Sequence, residues 1–257
     1  MTTGTEPGVG VRFEQSGQVA TVTLDRPDVL NAQTPAMWAE LDTISRKLSG
    51  DVRVVIVQGA GRAFSAGLDL SVARGDGDSS LARLARLSPE ECADRIAGFQ
   101  SAFTWLRRPS LVTIAAVRGH AIGAGFQLAL NCDLRVLTED AKFAMAEVTL
   151  GLVPDLGGTK RLTELVGPSR ALEICLTGRR IAAPEADRLG LATAVVPGDQ
   201  LDGAVADLAA AVLAADRNAT AEIKQLIAGA GGRTYPEQDR AEREAQTRRF
   251  RELAGLE

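Results

Sequence analysis

Leu111-Val112-Thr113-Ile114-Ala115-Ala116-Val117 runs through Arg118 into Gly119-His120-Ala121-Ile122-Gly123-Ala124-Gly125-Phe126-Gln127, and then to Leu128–Leu130 and Asp133–Leu137. The opening run is short, apolar and rich in β-branched residues, which reads as a strand buried on both faces. Glycines at 119, 123 and 125 mark a tight turn after it. Ala124–Leu130 reads as a helix and Asp133–Leu137 as the next strand. A buried strand, a glycine turn, a helix and another buried strand form the working unit of an α/β layer.

The same order of signals occurs upstream. Val52–Val57 is a β-branched run that ends at Gly59 and opens into Gly59-Ala60-Gly61-Arg62-Ala63-Phe64-Ser65-Ala66-Gly67-Leu68-Asp69-Leu70. Before it, Val11–Phe13 and Val19–Leu24 flank Ser16-Gly17 as a hairpin. Thr34–Leu48 places Met37, Leu41, Ile44 and Leu48 at helical spacing. Arg74–Ser80 is a polar loop, with a helical stretch at about 89–106 beyond it. After Val196-Pro197-Gly198 the character changes: Leu201–Leu213, Ala219–Ile227 and Pro236–Leu253 are helical patterns with no strand between them. The boundary is therefore set near residue 197.

Composition narrows the function classes. With 45% hydrophobic residues the chain can build a sizeable core, and its net charge of -4 argues against nucleic acid as the main ligand. Cys92, Cys132 and Cys175 are odd in number and lack CxxC spacing, so they read as free thiols, with neither a disulfide framework nor a metal site. The first ten residues lack an apolar signal segment, and no uncharged run approaches bilayer length. A cytoplasmic protein with no membrane partner is expected.

Small residues after a buried strand let main chain approach a ligand and aim its N–H groups outward. A helix N-terminus adds a partial positive charge suited to a developing oxyanion. Neither turn is a Walker loop or a GxGxxG dinucleotide fingerprint, and each alone could be an ordinary strand-to-helix corner. Together, in this order, they resemble the enoyl-CoA hydratase/isomerase (crotonase) family. Leu24-Asp25-Arg26-Pro27-Asp28-Val29-Leu30-Asn31-Ala32 and the stretch from Glu147 through Asp155 to Thr159 extend the resemblance over about residues 11–197.

The resemblance implies an α/β fold with a crotonase-type ββα spiral core over residues 1–197 and a C-terminal all-helical trimerisation module over 198–257. The assembly would be a homo-oligomer, a trimer or a dimer of trimers. The ligand would be an acyl-CoA substrate, with no cofactor beyond its coenzyme A moiety. The oxyanion-hole donors would be the N–H groups of Leu68 and Ala124. Positions Val29, Ala32, Ala66, Asp69, Leu70, Ala146 and Leu150 would contact substrate or CoA, mostly through main chain.

Family hydratases use two glutamates, and this chain has Gln127 at the first position and Glu147 at the second. An amide cannot exchange a proton at neutral pH, so Gln127 could orient a water but not share acid/base work. Asp155 is the second departure; family members that move double bonds carry an aspartate there, as do dehalogenases that use it as a nucleophile. Double-bond isomerisation is therefore expected over hydration, with β-oxidation hydratase and non-catalytic acyl-CoA binder as alternatives. The dehalogenase reading is set aside because 4% aromatic content offers little to line a benzoyl pocket. Asp155 could instead cap the helix beginning near Gly157, with a lowered pKa. Glu147 lies in an apolar stretch where a lone carboxylate is costly. His120 and the arginines at 107, 108, 240, 243, 248, 249 and 251 read as structural or solvated. Arg74–Ser80 is expected to close over the acyl chain, with Leu81, Leu84 and Leu87 as its inner wall. The C-terminus lacks the family's EG…AF…KR.P pattern, which leaves the pocket more open or covered by a neighbouring subunit.

Overall fold

Val54 and Val55 sit side by side in the chain and face opposite ways, and that alternation organises the molecule. In the computed structural model, which describes residues 2–3, 8–75, 77 and 80–256, Val55 and Val57 enter the main core while Val54 enters a second cluster behind the sheet. The strands before the first glycine turn are β1 (Thr2–Thr3), β2 (Val11–Ser16), β3 (Val19–Leu24) and β4 (Val54–Gly59), with α1 (Pro35–Lys47) between the last two. Then come α2 (Leu70–Arg74), α3 (Leu81–Leu84), α4 (Pro89–Thr104), β5 (Val112–Val117), β6 (His120–Ile122), α5 (Ala124–Asn131), β7 (Leu134–Thr138) and β8 (Lys142–Ala144). The remainder is α6 (Gly158–Val166), α7 (Pro168–Thr177), β9 (Ile181–Ala182), α8 (Ala183–Arg188), β10 (Ala194–Val196), α9 (Leu201–Ala214), α10 (Arg217–Ala230) and α11 (Tyr235–Leu253).

Among the described residues the large sheet has the order β1-β2-β3-β4-β5-β7-β10. The β2–β3 hairpin is antiparallel, and every pairing from β3 to β10 is parallel. A small second sheet, β6-β8-β9, stands at the end of the strands where the glycine turns emerge. The hairpin, the long helices and the alternating strands thus follow the sequence expectation; the three short strands of the second sheet carry no periodicity to announce them.

Both faces of the large sheet are covered, as a parallel sheet requires. On one side Val55, Val57, Ala115, Val117 and Leu137 pack with Trp38, Leu41, Ile44 and Phe103 of α1 and α4. On the other, Val54, Ile114, Ala116 and Val136 meet Leu201, Val205 and Ala209 of α9. Arg53 fastens that helix: its guanidinium donates to the carbonyls of Leu213 (3.0 Å) and Ala215 (2.8 Å) at the α9 C-terminus. Lys224 of α10 likewise donates to Leu111 O (2.6 Å) and Asp133 Oδ2 (2.7 Å). Arg249 corrects the reading of the C-terminal arginines as solvated: it is buried and paired with Asp216 (2.8 Å) and Glu252.

Candidate active site

The two glycine-rich turns lie side by side because they share one ladder. Ser65 N donates to His120 O (2.8 Å), and Ile122 N donates back to Ser65 O (3.0 Å). Just beyond, Gly67 (φ 91°) passes so close to the second turn that a Cβ there would lie 2.6 Å from Ile122 O and 3.6 Å from Ala124 N. Only glycine fits this approach. It brings Leu68 and Ala124 together, and neither N–H has a hydrogen-bond partner among the described residues. Ala124 is the first residue of α5, so its N–H points out along the helix axis.

Both donors open into a cavity of about 470 Å³. Gln127, Glu147, Asp155, Leu68, Ala124, Ala66, Leu70, Ala146 and Leu150, all expected site residues, line it. Val29, Ala32 and Asp69 do not. They belong to the adjoining segment, where Ala66 N donates to Leu30 O (2.8 Å) and Arg26 bridges Ala32 O (2.7 Å) and Asp69 Oδ2 (2.8 Å). Hydrogen bonds from Ser71 and Arg26 lower the Asp69 pKa, and its carboxylate caps α2.

Gln127 is fully buried, and both its amide oxygen and its amide nitrogen are hydrogen-bonded. Its Oε1 accepts from Leu156 N (2.8 Å) and Gly158 N (3.3 Å), and those donors fix the amide orientation. Nε2 must then face Glu147, to whose Oε1 it donates at 2.6 Å. Glu147 stands on a one-turn 3-10 segment, Glu147–Leu150, next to Gly123 (φ 51°), where a Cβ would lie 3.4 Å from its Oε1. Its other oxygen, Oε2, is buried without a partner among the described residues. Burial raises the Glu147 pKa; Gln127 acts against the shift and Asp155 adds to it.

Asp155 overturns the capping alternative. The N-cap of α6 is Gly157, with no side-chain cap bond, and the Asp155 carboxylate makes no hydrogen bond to another described residue. Burial raises its pKa, the opposite of a capping aspartate. Two carboxyl groups, both pushed toward the neutral form, therefore share one cavity with two unpaired N–H donors. That combination can take a proton from carbon, hold an enolate and return a proton.

Sequence reasoning missed the apolar wall of the cavity. Pro35, Trp38, Cys92, Ile96 and Phe99 line the cavity, with the Trp38 and Phe99 ring centroids 5.0 Å apart. Their helical spacing reads equally well as core. Trp38 and Phe99 are two of the ten aromatic residues of the chain; the other eight lie outside this lining. Leu81 and Leu84 of α3 line the cavity as expected. Leu87 does not; it borders a separate depression with Arg83, Arg86, Glu91 and Arg95. The helix does not extend backward because Ser88 and Glu91 form a capping box and Pro89 follows, so α4 starts there. The expected cover at Arg74–Ser80 includes Asp76, Asp78 and Ser79, which lie outside the described residues. His120 is half-buried and outside the cavity lining, its pKa lowered by burial and then by Arg180, Lys142 and Arg62. Burial pushes the Cys132 thiol to about 12.

The model of the family described as enoyl-CoA hydratase/isomerase matches residues 14–254. The chain belongs to the enoyl-CoA hydratase/isomerase family. It has the crotonase fold with C-terminal helices, and it is an enzyme of that superfamily. A Thermobifida fusca protein described as "a putative enoyl-CoA hydratase", solved in complex with CoA, is 47% identical, with a TM-score of 0.89 over 96% of this chain and 95% of its own. Its complex with acetoacetyl-CoA aligns at 46% identity and a TM-score of 0.90, over 95% of this chain and 96% of the other. The Rhizobium meliloti protein named "Probable enoyl-CoA hydratase" is 37% identical over 194 residues, covering 73% of this chain and 69% of its own length.

Proposed function

We propose that this enzyme binds unsaturated acyl-CoA thioesters and shifts their double bond, converting 3-enoyl to 2-enoyl thioesters through a bound dienolate. One observation carries the reading. The Gln127 amide donates directly to Glu147 and its oxygen is taken by two main-chain N–H groups, so Asp155 is left as the second group able to move a proton. In this reading the thioester oxygen accepts from Leu68 N and Ala124 N. A carboxylate removes a proton from C2, the electron pair delocalises onto that oxygen, and a carboxylic acid delivers a proton at C4. Raised pKa values keep Glu147 and Asp155 nearer the range where one group can serve as both base and acid. The CoA complex of the Thermobifida fusca relative supports a CoA thioester as ligand; in this reading Val29, Ala32 and Asp69 contact the CoA moiety and the apolar wall surrounds the acyl group.

Hydration is the second reading, favoured by the hydratase names of the relatives. It would use Glu147 with a water held elsewhere than between residues 127 and 147, where the 2.6 Å contact leaves no room. Turnover of both substrate types by the purified protein separates the two. Isomerisation predicts that Asp155→Asn lowers kcat/KM on a 3-enoyl thioester by about 100-fold or more. Fast hydration of a 2-enoyl thioester that survives Asp155→Ala would overturn it.

The enzyme would work in the cytoplasm as a homo-trimer or a dimer of trimers. Paired apolar residues standing exposed on three helices, Leu172 and Leu176, Ile223 and Ile227, Phe250 and Leu253, support assembly.

A further inference from the structure

The Asp155 carboxylate has no side-chain partner among the described residues, so its placement depends on its main chain. Three side-chain amides hold that main chain. Gln127 Oε1 accepts from Leu156 N (2.8 Å), and Asn131 Nδ2 donates to Leu156 O (3.1 Å). Both come from α5, the helix whose first N–H is the Ala124 donor, so they fix Asp155 relative to the thioester oxygen. The third, Gln100, comes from elsewhere: its Nε2 donates to Asp155 O at 2.7 Å. Gln100 lies on α4, and Cys92, Ile96 and Phe99, at i−8, i−4 and i−1, line the acyl wall from the same side of that helix.

We infer that Gln100 is a positioning residue that ties Asp155 to the wall against which the acyl group packs. Resting on the assignment of Asp155 to proton transfer, this makes turnover depend on how fully the acyl chain fills the α4 wall. A short chain leaves Cys92, Ile96 and Phe99 without contact, and α5 alone sets Asp155. A chain that reaches them braces α4, and Gln100 passes that constraint to the Asp155 carbonyl. Small misplacements of a reacting group carry large rate costs, so one hydrogen bond suffices for a measurable effect.

Gln100→Met keeps side-chain length and removes the donor. Steady-state kinetics on four-carbon and eight-carbon 3-enoyl-CoA thioesters are expected to show kcat falling about tenfold for the longer substrate and less than about threefold for the shorter, with KM little changed for either. In an Asp155→Asn background, adding Gln100→Met should lower kcat no further, because the residue acts through Asp155. Gln100→Arg, which restores an N–H donor, should recover part of the long-chain kcat. Thermal melting reports whether each variant is folded. Equal losses on both substrates, an effect confined to KM, or additive losses with Asp155→Asn would overturn the coupling. An Asp155→Asn enzyme that isomerises normally would instead sink the assignment of Asp155. An inactive Asp155→Asn beside an unaffected Gln100→Met would sink only the role of Gln100.

Discussion

Glu147 meets Gln127 on one oxygen and no described residue on the other, and burial raises its pKa together with that of Asp155. A buried carboxylate with a vacant lone-pair direction is costly in the free enzyme and useful only when a substrate proton arrives. The pH consequences follow from the sign of the shift. The working base must be ionised, so kcat/KM is expected to fall on the acid side with a midpoint above the ordinary carboxylate range of about 4. For stability, the folded chain holds these protons more tightly than the unfolded one, so stability drops as pH rises from the unfolded pKa through the folded pKa. Above that window the ionised side chain is a net cost. Glu147→Gln, whose amide oxygen can still accept from Gln127, is therefore expected to melt about 2 °C higher than the wild type at pH 7. The advantage should shrink as pH falls below the folded pKa. A melting temperature below wild type at pH 7, or a pH-independent gain, would contradict this account.

At the scale of elements, legibility followed the strength of the periodic signal. Helices α1, α4, α9, α10 and α11 and strands β3, β5 and β7 repeat apolar residues over enough turns or pleats to be read directly. The strands β6, β8 and β9 span only two or three residues each and are held by register with neighbours distant in sequence. The site was legible where chemistry is unusual for its place: a glutamate in an apolar stretch, an aspartate before paired glycines, and the glycine turns. It was illegible where a cavity wall looks like core. Trp38, Ile96 and Phe99 keep the same spacing whether their neighbour is protein or substrate, and Gln100 acts through a carbonyl 55 positions away. Arg53 shows a similar long-range device, since nothing in Val52–Val57 marks it as the clasp on α9. Its removal leaves the last carbonyls of α9 without their donor at a covered helix end. Arg53→Met is expected to destabilise the fold by about 2–3 kcal/mol in denaturant unfolding. Arg53→Lys, keeping one charged donor, should lose less; equal losses would assign the effect to packing.

At the scale of the whole molecule, the cavity is walled by both glycine turns, α1, α2, α3, α4, α5 and the Ala146–Leu156 segment, and among the described residues none of its lining comes from α10 or α11. Lys224 fastens α10 to the body and Arg249 ties α11 to Asp216 at the start of α10, yet both helices leave large apolar side chains in solvent: Ile227 is 71% exposed, Phe250 64% and Leu253 74%. A monomer gains nothing from rigidly presenting such a surface. Exposed apolar area in fixed positions on helices is what an obligate interface between copies requires. The 3- and 4-residue spacings of these pairs set each on one side of its helix, so a partner can cover them without rearrangement. In sedimentation or light scattering, the chain is expected at a multiple of its 27.0 kDa mass, three-fold or six-fold by the proposed assembly. Ile227→Glu with Phe250→Glu places two charges in the interface, where an unpaired buried charge costs several kcal/mol. The double variant should sediment as a folded monomer with native circular dichroism. If it keeps the wild-type mass, the α10–α11 face is not the interface. If the wild type is itself monomeric at micromolar concentration, the proposed assembly is wrong.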